Sequence, residues 1–86
     1  MKAVNVGYGN AVAISKITAI VCANSTPVTR LIGNMKDQDR VIDATKGHKC
    51  RSVVFTDGER IVLSAVKTDT LARRTWGFIG DDSDEI

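Results

Sequence analysis

A β-hairpin in the second half of the chain is the feature that most restricts its fold. Two runs rich in β-branched residues, 51–55 and 60–66, flank the dipeptide Asp57-Gly58. Asp-Gly suits a type I′ turn, which closes tight hairpins because both of its central residues have positive φ. An antiparallel pair of strands is therefore predicted here.

Shorter apolar runs predict four more strands. They lie at residues 2–6, 11–14, 17–22 and 40–45 and are alternating or rich in β-branched residues. Residues 7–10, Gly-Tyr-Gly-Asn, predict a turn between the first two strands, because Gly and Asn tolerate positive φ.

A helix is predicted at residues 27–38. Ser25 and Thr26 offer a hydroxyl N-cap, and Pro27 suits the first helical position. An apolar stripe follows at helical spacing, formed by Val28, Leu31, Ile32 and Met35.

A second helix is predicted to start near Thr68 and to end before Gly77, which can supply its C-cap. Asp69 in the first turn and Arg73 and Arg74 in the last turn complement the helix dipole. The predicted fold class is therefore α+β. A small mixed, largely antiparallel sheet packs against helix 27–38, and the C-terminal helix is expected at a sheet edge or a subunit contact.

The charge is distributed unevenly along the chain. Its 86 residues hold 12 Lys and Arg against 10 acids, and four of these acids lie in residues 81–86. Residues 1–80 therefore carry a formal charge of +6, and residues 81–86 carry −4. We predict a single domain at residues 1–80, followed by an acidic segment at 81–86 that is disordered and solvated.

The sequence does not indicate secretion or membrane insertion. Ser15, Lys16 and Thr18 interrupt the apolar run at residues 11–23, and no basic region precedes it. No run reaches the roughly 18 apolar residues that a membrane-spanning helix needs. Cys22 and Cys50 do not make a disulfide framework and are expected to be small buried thiols. The protein is therefore predicted to be cytoplasmic, with no membrane partner.

The residue pattern does not favour an enzyme. The sole histidine, His48, has no evident nucleophile and acidic partner, and its spacing to Cys50 and Cys22 matches no common zinc site. Gly7-Tyr8-Gly9 lacks the longer pattern of a phosphate loop and is interpreted as a plain turn. No catalytic residue, metal, cofactor or small-molecule substrate is predicted.

Two other positions require an interpretation. Asp43 lies in an apolar run, so it is expected to accept hydrogen bonds or to pair with a base such as Arg51. Trp76 and Phe78 could stack on bases, but packing against the body or a subunit partner is favoured.

Basic residues are concentrated at one turn. Lys46, His48, Lys49 and Arg51 surround Gly47, while Lys16 lies at a strand junction and Arg30 on the polar side of the first helix. Such a cluster suits contact with phosphates, and a homo-oligomer would repeat it without new contacts. We interpret these six residues as a binding surface for double-stranded DNA. The alternatives are an ordinary solvated surface on a structural oligomer, and an RNA-binding protein.

The acidic segment 81–86 has a second interpretation, as a competitor with DNA for the basic body.

Two motifs of the chain are fairly specific, Ile-Asp-Ala-Thr-x-Gly at 42–47 and Ile-x-Leu-Ser-Ala-Val at 61–66. Through these motifs, and through segments at residues 5–10, 27–30 and 51–54 with a looser match at 70–73, the chain resembles RemA, the bacterial extracellular matrix regulatory protein family. The likeness covers about residues 3–75.

The resemblance implies a DNA-binding transcription regulator of biofilm-matrix and osmoprotection genes. It also implies a fold similar to the LytTR DNA-binding domain and a ring-shaped octamer that carries DNA on its basic outer surface. Lys16, Arg30, His48, Lys49 and Arg51 match basic positions of the family. Pro27 matches a proline that matters for function, and we assign Pro27 and Trp76 a structural or oligomer role.

This chain departs from the family at the turn, where His48 and Lys49 match a pair that is usually arginine. A histidine is only partly charged near neutral pH. Lysine cannot make the bidentate contacts of arginine. Weaker or pH-sensitive DNA binding is therefore expected.

Overall fold

The computed structural model describes residues 2–77. The strands are β1 (Ala3–Gly7), β2 (Asn10–Ala13), β3 (Ile17–Cys22), β4 (Val41–Asp43), β5 (Ser52–Thr56) and β6 (Arg60–Ser64). The helices are α1 (Thr26–Asp37) and α2 (Thr68–Trp76), and a short 3₁₀ turn, Ile14–Lys16, joins β2 to β3.

Four of the strands form one mixed sheet in the order β3-β5-β6-β4. The pairs β3–β5 and β5–β6 are antiparallel, and β4 lies parallel to β6 at one edge. Strands β1 and β2 form a separate antiparallel hairpin. This architecture confirms the predicted small α+β class, with the strands divided between two sheets.

Helix α1 covers one face of the four-stranded sheet. Its first turn is capped by Ser25, whose Oγ accepts a hydrogen bond from the Val28 amide at 3.4 Å. Three residues of its apolar stripe, Val28, Ile32 and Met35, pack against a buried cluster formed by Val53, Ile61 and Leu63. The predicted packing of this helix against the sheet is therefore confirmed.

The β1–β2 hairpin and α2 cover the opposite face. Val54 and Val62 point to this side because successive residues of a strand face opposite sides of the sheet. They form a second buried cluster together with Val4, Val6, Ala44 and Leu71. Since Leu71 is fully buried and α2 lies against β1 and β3, the C-terminal helix packs on a face of the sheet. Because β3 is an edge strand of that sheet, the expected location at a sheet edge is confirmed, and contact with a subunit stays a prediction.

The element boundaries correct two further predictions. The β5–β6 loop has three residues, and positive φ occurs at Gly58 and Glu59, one position later than the Asp-Gly pair suggested. The strand predicted at 40–45 is shorter, because the chain turns after Asp43. Gly77 ends α2 in the left-handed conformation, as predicted.

No helix among residues 2–77 is long and apolar enough to cross a membrane. The acidic segment 81–86 and Phe78 lie outside the described residues, so their predicted states and the domain limit at residue 80 stay predictions.

Candidate nucleic-acid interface

The predicted basic turn lies at one end of the four-stranded sheet, which we call the basic end. Strands β3, β4 and β6 finish there, at Cys22, Asp43 and Ser64, and β5 begins there at Ser52. The loop of residues 44–51 connects β4 to β5 across this end. The sheet therefore serves as a rigid base for the turn.

The turn itself has a defined backbone. The His48 amide donates a hydrogen bond to the Thr45 carbonyl at 2.9 Å, which closes a four-residue turn. Its central residues, Lys46 and Gly47, have φ of 51° and 81°, as in the type I′ pattern. The left-handed conformation costs a non-glycine residue about 1–2 kcal/mol. The chain therefore holds Lys46 in a conformation that an unconstrained loop would avoid.

Asp43 fixes the entry to this turn. One carboxylate oxygen, Oδ1, accepts hydrogen bonds from the Thr45 amide at 2.9 Å and from Thr45 Oγ1 at 2.6 Å. These bonds, first of all the one from the hydroxyl, hold the pKa of Asp43 below its ordinary value. The carboxylate is exposed and forms no ion pair with Arg51, so of the two expected roles the acceptor role is confirmed and pairing with Arg51 is not.

We expect Thr45→Val to raise the pKa of Asp43, because it removes the hydroxyl that most stabilises the carboxylate. A carboxyl group with a lowered pKa in the folded state stabilises the fold at pH values above its unfolded-state pKa. This contribution is lost as the pH falls through the folded-state pKa. The free energy of unfolding of the variant should therefore be lower by about 1 kcal/mol near pH 7. This is the contribution of a hydrogen bond to a charged group, reduced because the carboxylate is exposed. Urea unfolding at pH 7 and near pH 3 should show this loss shrinking at the lower pH.

The matched control for this test is Thr18→Val, which removes a threonine hydroxyl that donates to the Phe55 carbonyl, remote from Asp43. It should leave the carbon chemical-shift titration of Asp43 unchanged. A titration curve of Asp43 that is identical in wild type and Thr45→Val would contradict the assigned role.

The hairpin turn between β1 and β2 reaches the basic turn. The rings of Tyr8 and His48 are stacked, with centroids 4.9 Å apart and planes 8° from parallel. Tyr8 is half-exposed and has a φ of 53°. The sequence interpretation missed Tyr8, although an aromatic residue between two turn glycines is a signal that the side chain is presented outward.

The buried hydroxyl of Ser64 holds this hairpin against the sheet. Ser64 Oγ donates to the Val6 carbonyl at 2.7 Å and accepts from the Val66 amide at 3.0 Å. A Cβ placed on Gly7 would lie 3.3 Å from Val66 Cγ2, so the backbone there approaches closely because it is glycine. Tyr8 is thereby fixed beside the basic turn.

Four predicted binding residues come together at the basic end. Lys46, His48, Lys49 and Arg51 are all exposed. The Arg51 backbone is bonded on both sides, since its amide donates to Ser64 and its carbonyl accepts from Ala23. Within residues 2–77 the ion pair present is Arg40–Glu59, so none of these four has an acidic ion-pair partner in that range.

The other two predicted binding residues lie elsewhere. Lys16 precedes β3 at the opposite end of the sheet, where its carbonyl accepts from the Asp57 amide at 2.9 Å. Strand β3 has six residues, which correspond to about 20 Å of sheet between the two ends. Arg30 is exposed on α1, the helix that begins beside the basic end. A single chain therefore does not bring Lys16 into the cluster.

Pro27 and Trp76 are at the ends of the two helices. Pro27 is the second residue of α1 and is exposed. Trp76 ends α2 with 47% of its surface exposed, so the favoured packing against the body is incomplete in the single chain. Contact of either residue with a subunit partner stays a prediction.

The two cysteines are on opposite sides of the sheet. Cys22 is exposed, so its predicted burial was wrong, whereas Cys50 is partly buried against the α1 side. Burial raises the pKa of the Cys50 thiol. The structure does not bring Cys22 and Cys50 together, and no group of three or more potential metal-ligating side chains occurs within residues 2–77.

The arrangement defines a class of small α+β domain in which a sheet end presents an exposed cationic turn. Residues 3–75 match the family described as RemA-like, Extracellular matrix regulatory protein A-like, and the chain belongs to that family.

Relatives of this chain are named as regulatory proteins. One from Geobacillus thermodenitrificans is 39% identical over 85 residues, covering 99% of this chain and 95% of the relative. One from Nitratidesulfovibrio vulgaris is 42% identical over 83 residues, covering 96% and 93%. A third, from Natranaerobius thermophilus, is 40% identical over 86 residues, covering 100% and 97%.

Proposed function

We propose that this protein is a DNA-binding transcription regulator that contacts duplex DNA with its basic end. The observation that carries this proposal is the geometry of the turn. Four exposed basic side chains surround a hydrogen-bonded turn, and none has an acidic ion-pair partner within residues 2–77.

The side chains at the turn suit phosphate contacts better than base reading. Lys46 and Lys49 provide point charges, and Arg51 provides a guanidinium that can hold a phosphate in a bidentate manner. His48 is stacked on Tyr8, which restricts how its ring can move. Contacts of this kind position a protein on the duplex, while sequence is read through DNA shape and bending.

One chain offers too few cations for strong binding, which supports a homo-oligomer. Three phosphate contacts contribute a slope of log K against log salt of only about −3. A head-to-tail arrangement of copies would place Lys16 of one copy near the basic end of the next, because these features lie at opposite ends of one sheet. Head-to-tail interfaces close into rings when the rotation permits.

The family resemblance adds the finer parts of the proposal. They are the octameric ring, the LytTR-like character of the fold, the cytoplasmic location and the regulation of biofilm-matrix and osmoprotection genes. Pro27 and Trp76 would then serve the contacts between subunits.

The test is a fluorescence anisotropy titration of a labelled duplex of about 30 base pairs, repeated from 25 to 300 mM salt. We expect affinity to fall linearly on logarithmic axes, with a slope of about −0.9 per phosphate neutralised. Unlabelled duplex DNA should displace the probe better than duplex RNA. Absence of binding at the lowest salt would favour a structural oligomer, and preferential displacement by RNA would favour an RNA-binding protein.

A further inference from the structure

We propose that Lys67 and Arg51 form a phosphate-binding site in the cleft between the basic end and the start of α2. This inference rests on the proposed function and adds a binding residue that the basic turn does not include. Its ligand is a backbone phosphate of the duplex held by the turn.

The cleft has a volume of about 440 Å³ and opens to the surface. It lies where β3 ends, β5 begins and α2 begins. The residues that line it are Cys22, Arg51, Lys67, Thr68, Asp69 and Ala72. Arg51 therefore belongs both to the basic turn and to this cleft, so the two features form one continuous surface.

Hydrogen bonds of the Ser52 hydroxyl fix the backbones of the two cationic residues relative to each other. Ser52 Oγ, next to Arg51, donates to the Val66 carbonyl at 2.6 Å and lies 2.9 Å from Thr68 Oγ1. Val66 and Thr68 flank Lys67 in the chain, so these bonds join both cationic residues to one fully buried serine. The backbones of Arg51 and Lys67 thus cannot separate without breaking this network.

The local charges leave the cleft cationic. Asp69 is the acid in the lining, and its Oδ1 accepts a hydrogen bond from the Thr70 amide at 2.8 Å. It forms no ion pair with Arg51 or Lys67, since the ion pair within residues 2–77 is Arg40–Glu59. Two exposed cations therefore face the cleft, while the single carboxylate is engaged by the helix backbone. An anion gains charge-assisted contacts from both cations there.

Lys67 can be replaced without removing a helix cap. It occupies the N-cap position of α2, but its side chain makes no capping hydrogen bond. Lys67→Ala therefore tests the charge of the side chain, and Lys67→Arg should keep it. We expect Lys67→Ala to weaken duplex binding about threefold to tenfold for all sequences and to reduce the salt slope by about one per contact.

Cys22 provides a second measurement that is independent of affinity. Its thiol is exposed and lines the cleft, so a bound duplex should slow its alkylation by N-ethylmaleimide. Peptide mass spectrometry of the full chain separates Cys22 from the partly buried Cys50, which lies between Lys49 and Arg51 in the basic turn. We expect protection of Cys22 in the presence of duplex DNA, whereas a change at Cys50 reports contact with the basic turn.

Arg60→Ala is the matched control, because Arg60 is an exposed cation that begins β6 at the opposite end of the sheet and does not line the cleft. It should leave the salt slope close to the wild-type value. If wild type binds no duplex at low salt, the proposed function fails. If wild type binds duplex DNA but Lys67→Ala binds it equally well, the proposed phosphate-binding site is wrong, while the proposed DNA-binding function stands. The same holds if duplex DNA leaves Cys22 as reactive as before. Protection of Cys22 by raised protein concentration alone would also contradict the phosphate-binding site, because the cleft would then be covered by contact between subunits.

Discussion

Replacing Lys49 and Arg51 together by alanine should weaken duplex DNA binding by about tenfold to a hundredfold at 100 mM salt. The salt slope should fall by about two per protomer, because two phosphate contacts are lost. Both side chains are exposed and neither has an acidic ion-pair partner within residues 2–77, so little folding stability depends on their charges. The measurement is the anisotropy titration at several salt concentrations, with circular dichroism to confirm an unchanged fold.

The control must show whether weaker binding depends on the location of the removed charges or only on their number. Lys2→Ala combined with Arg60→Ala removes the same formal charge at the sheet end opposite the turn, where the Lys2 carbonyl accepts from the Ile14 amide and Arg60 begins β6. Overall attraction to a polyanion would weaken equally in both double variants. A loss confined to the Lys49–Arg51 variant supports the basic end as the contact surface, whereas equal losses would remove the argument for a defined site.

Local sequence signals identified the elements because each depends on neighbouring residues. The Ser25 cap, the apolar stripe of α1 and the Gly77 C-cap are all features of one helix and its ends, and the structure has each of them. The hairpin was found in the same way, although its positive φ values fall on Gly58 and Glu59. The loop is longer than the dipeptide suggests because Thr56 pairs with Arg60.

The long-range part of the site was not predictable from those signals. Stacking of Tyr8 on His48 joins residues 40 positions apart, and it depends on how the β1–β2 hairpin lies over the sheet. The same packing decides that Leu71 enters the core and that α2 begins beside Arg51. Periodicity shows that a helix has an apolar face, but it does not show which face of a sheet that helix covers.

Asp43 illustrates a different limit. The apolar run predicted a strand to residue 45, yet the strand ends at Asp43, whose side chain turns to the Thr45 amide and hydroxyl. Short polar side chains favour such local bonds where regular structure stops. The position of Asp43 thus marks the boundary between the sheet and the binding turn.

These observations support a division of labour within the domain. The sheet and its buried serines set the positions of three segments, namely the hairpin turn, the basic turn and the start of α2. The backbone that carries the exposed cations then needs little ordering on contact with a polyanion, which lowers the entropic cost of binding. Stability of the core and affinity for DNA should therefore be linked through α2 and the hairpin.

Leu71→Ala should produce the largest loss of stability, about 2–5 kcal/mol, because Leu71 is fully buried in the cluster that joins α2 to the sheet. The total free energy of unfolding of a domain of this size is roughly 4–13 kcal/mol. The midpoint of thermal unfolding should therefore fall by about 4–8 °C for each kcal/mol lost. Thermal and urea unfolding measure the effect directly.

Ile42→Ala is the matched control, because Ile42 is an aliphatic residue of similar size that is half-exposed at the edge strand β4. Its loss should stay below about 1 kcal/mol, as little buried apolar area is removed. Since α2 begins beside Arg51, Leu71→Ala should also speed alkylation of Cys22 in the free protein, while Ile42→Ala should not. Equal destabilisation by the two substitutions would mean that α2 is not fastened to the sheet through Leu71, and the cleft beside Arg51 would then lose its structural basis.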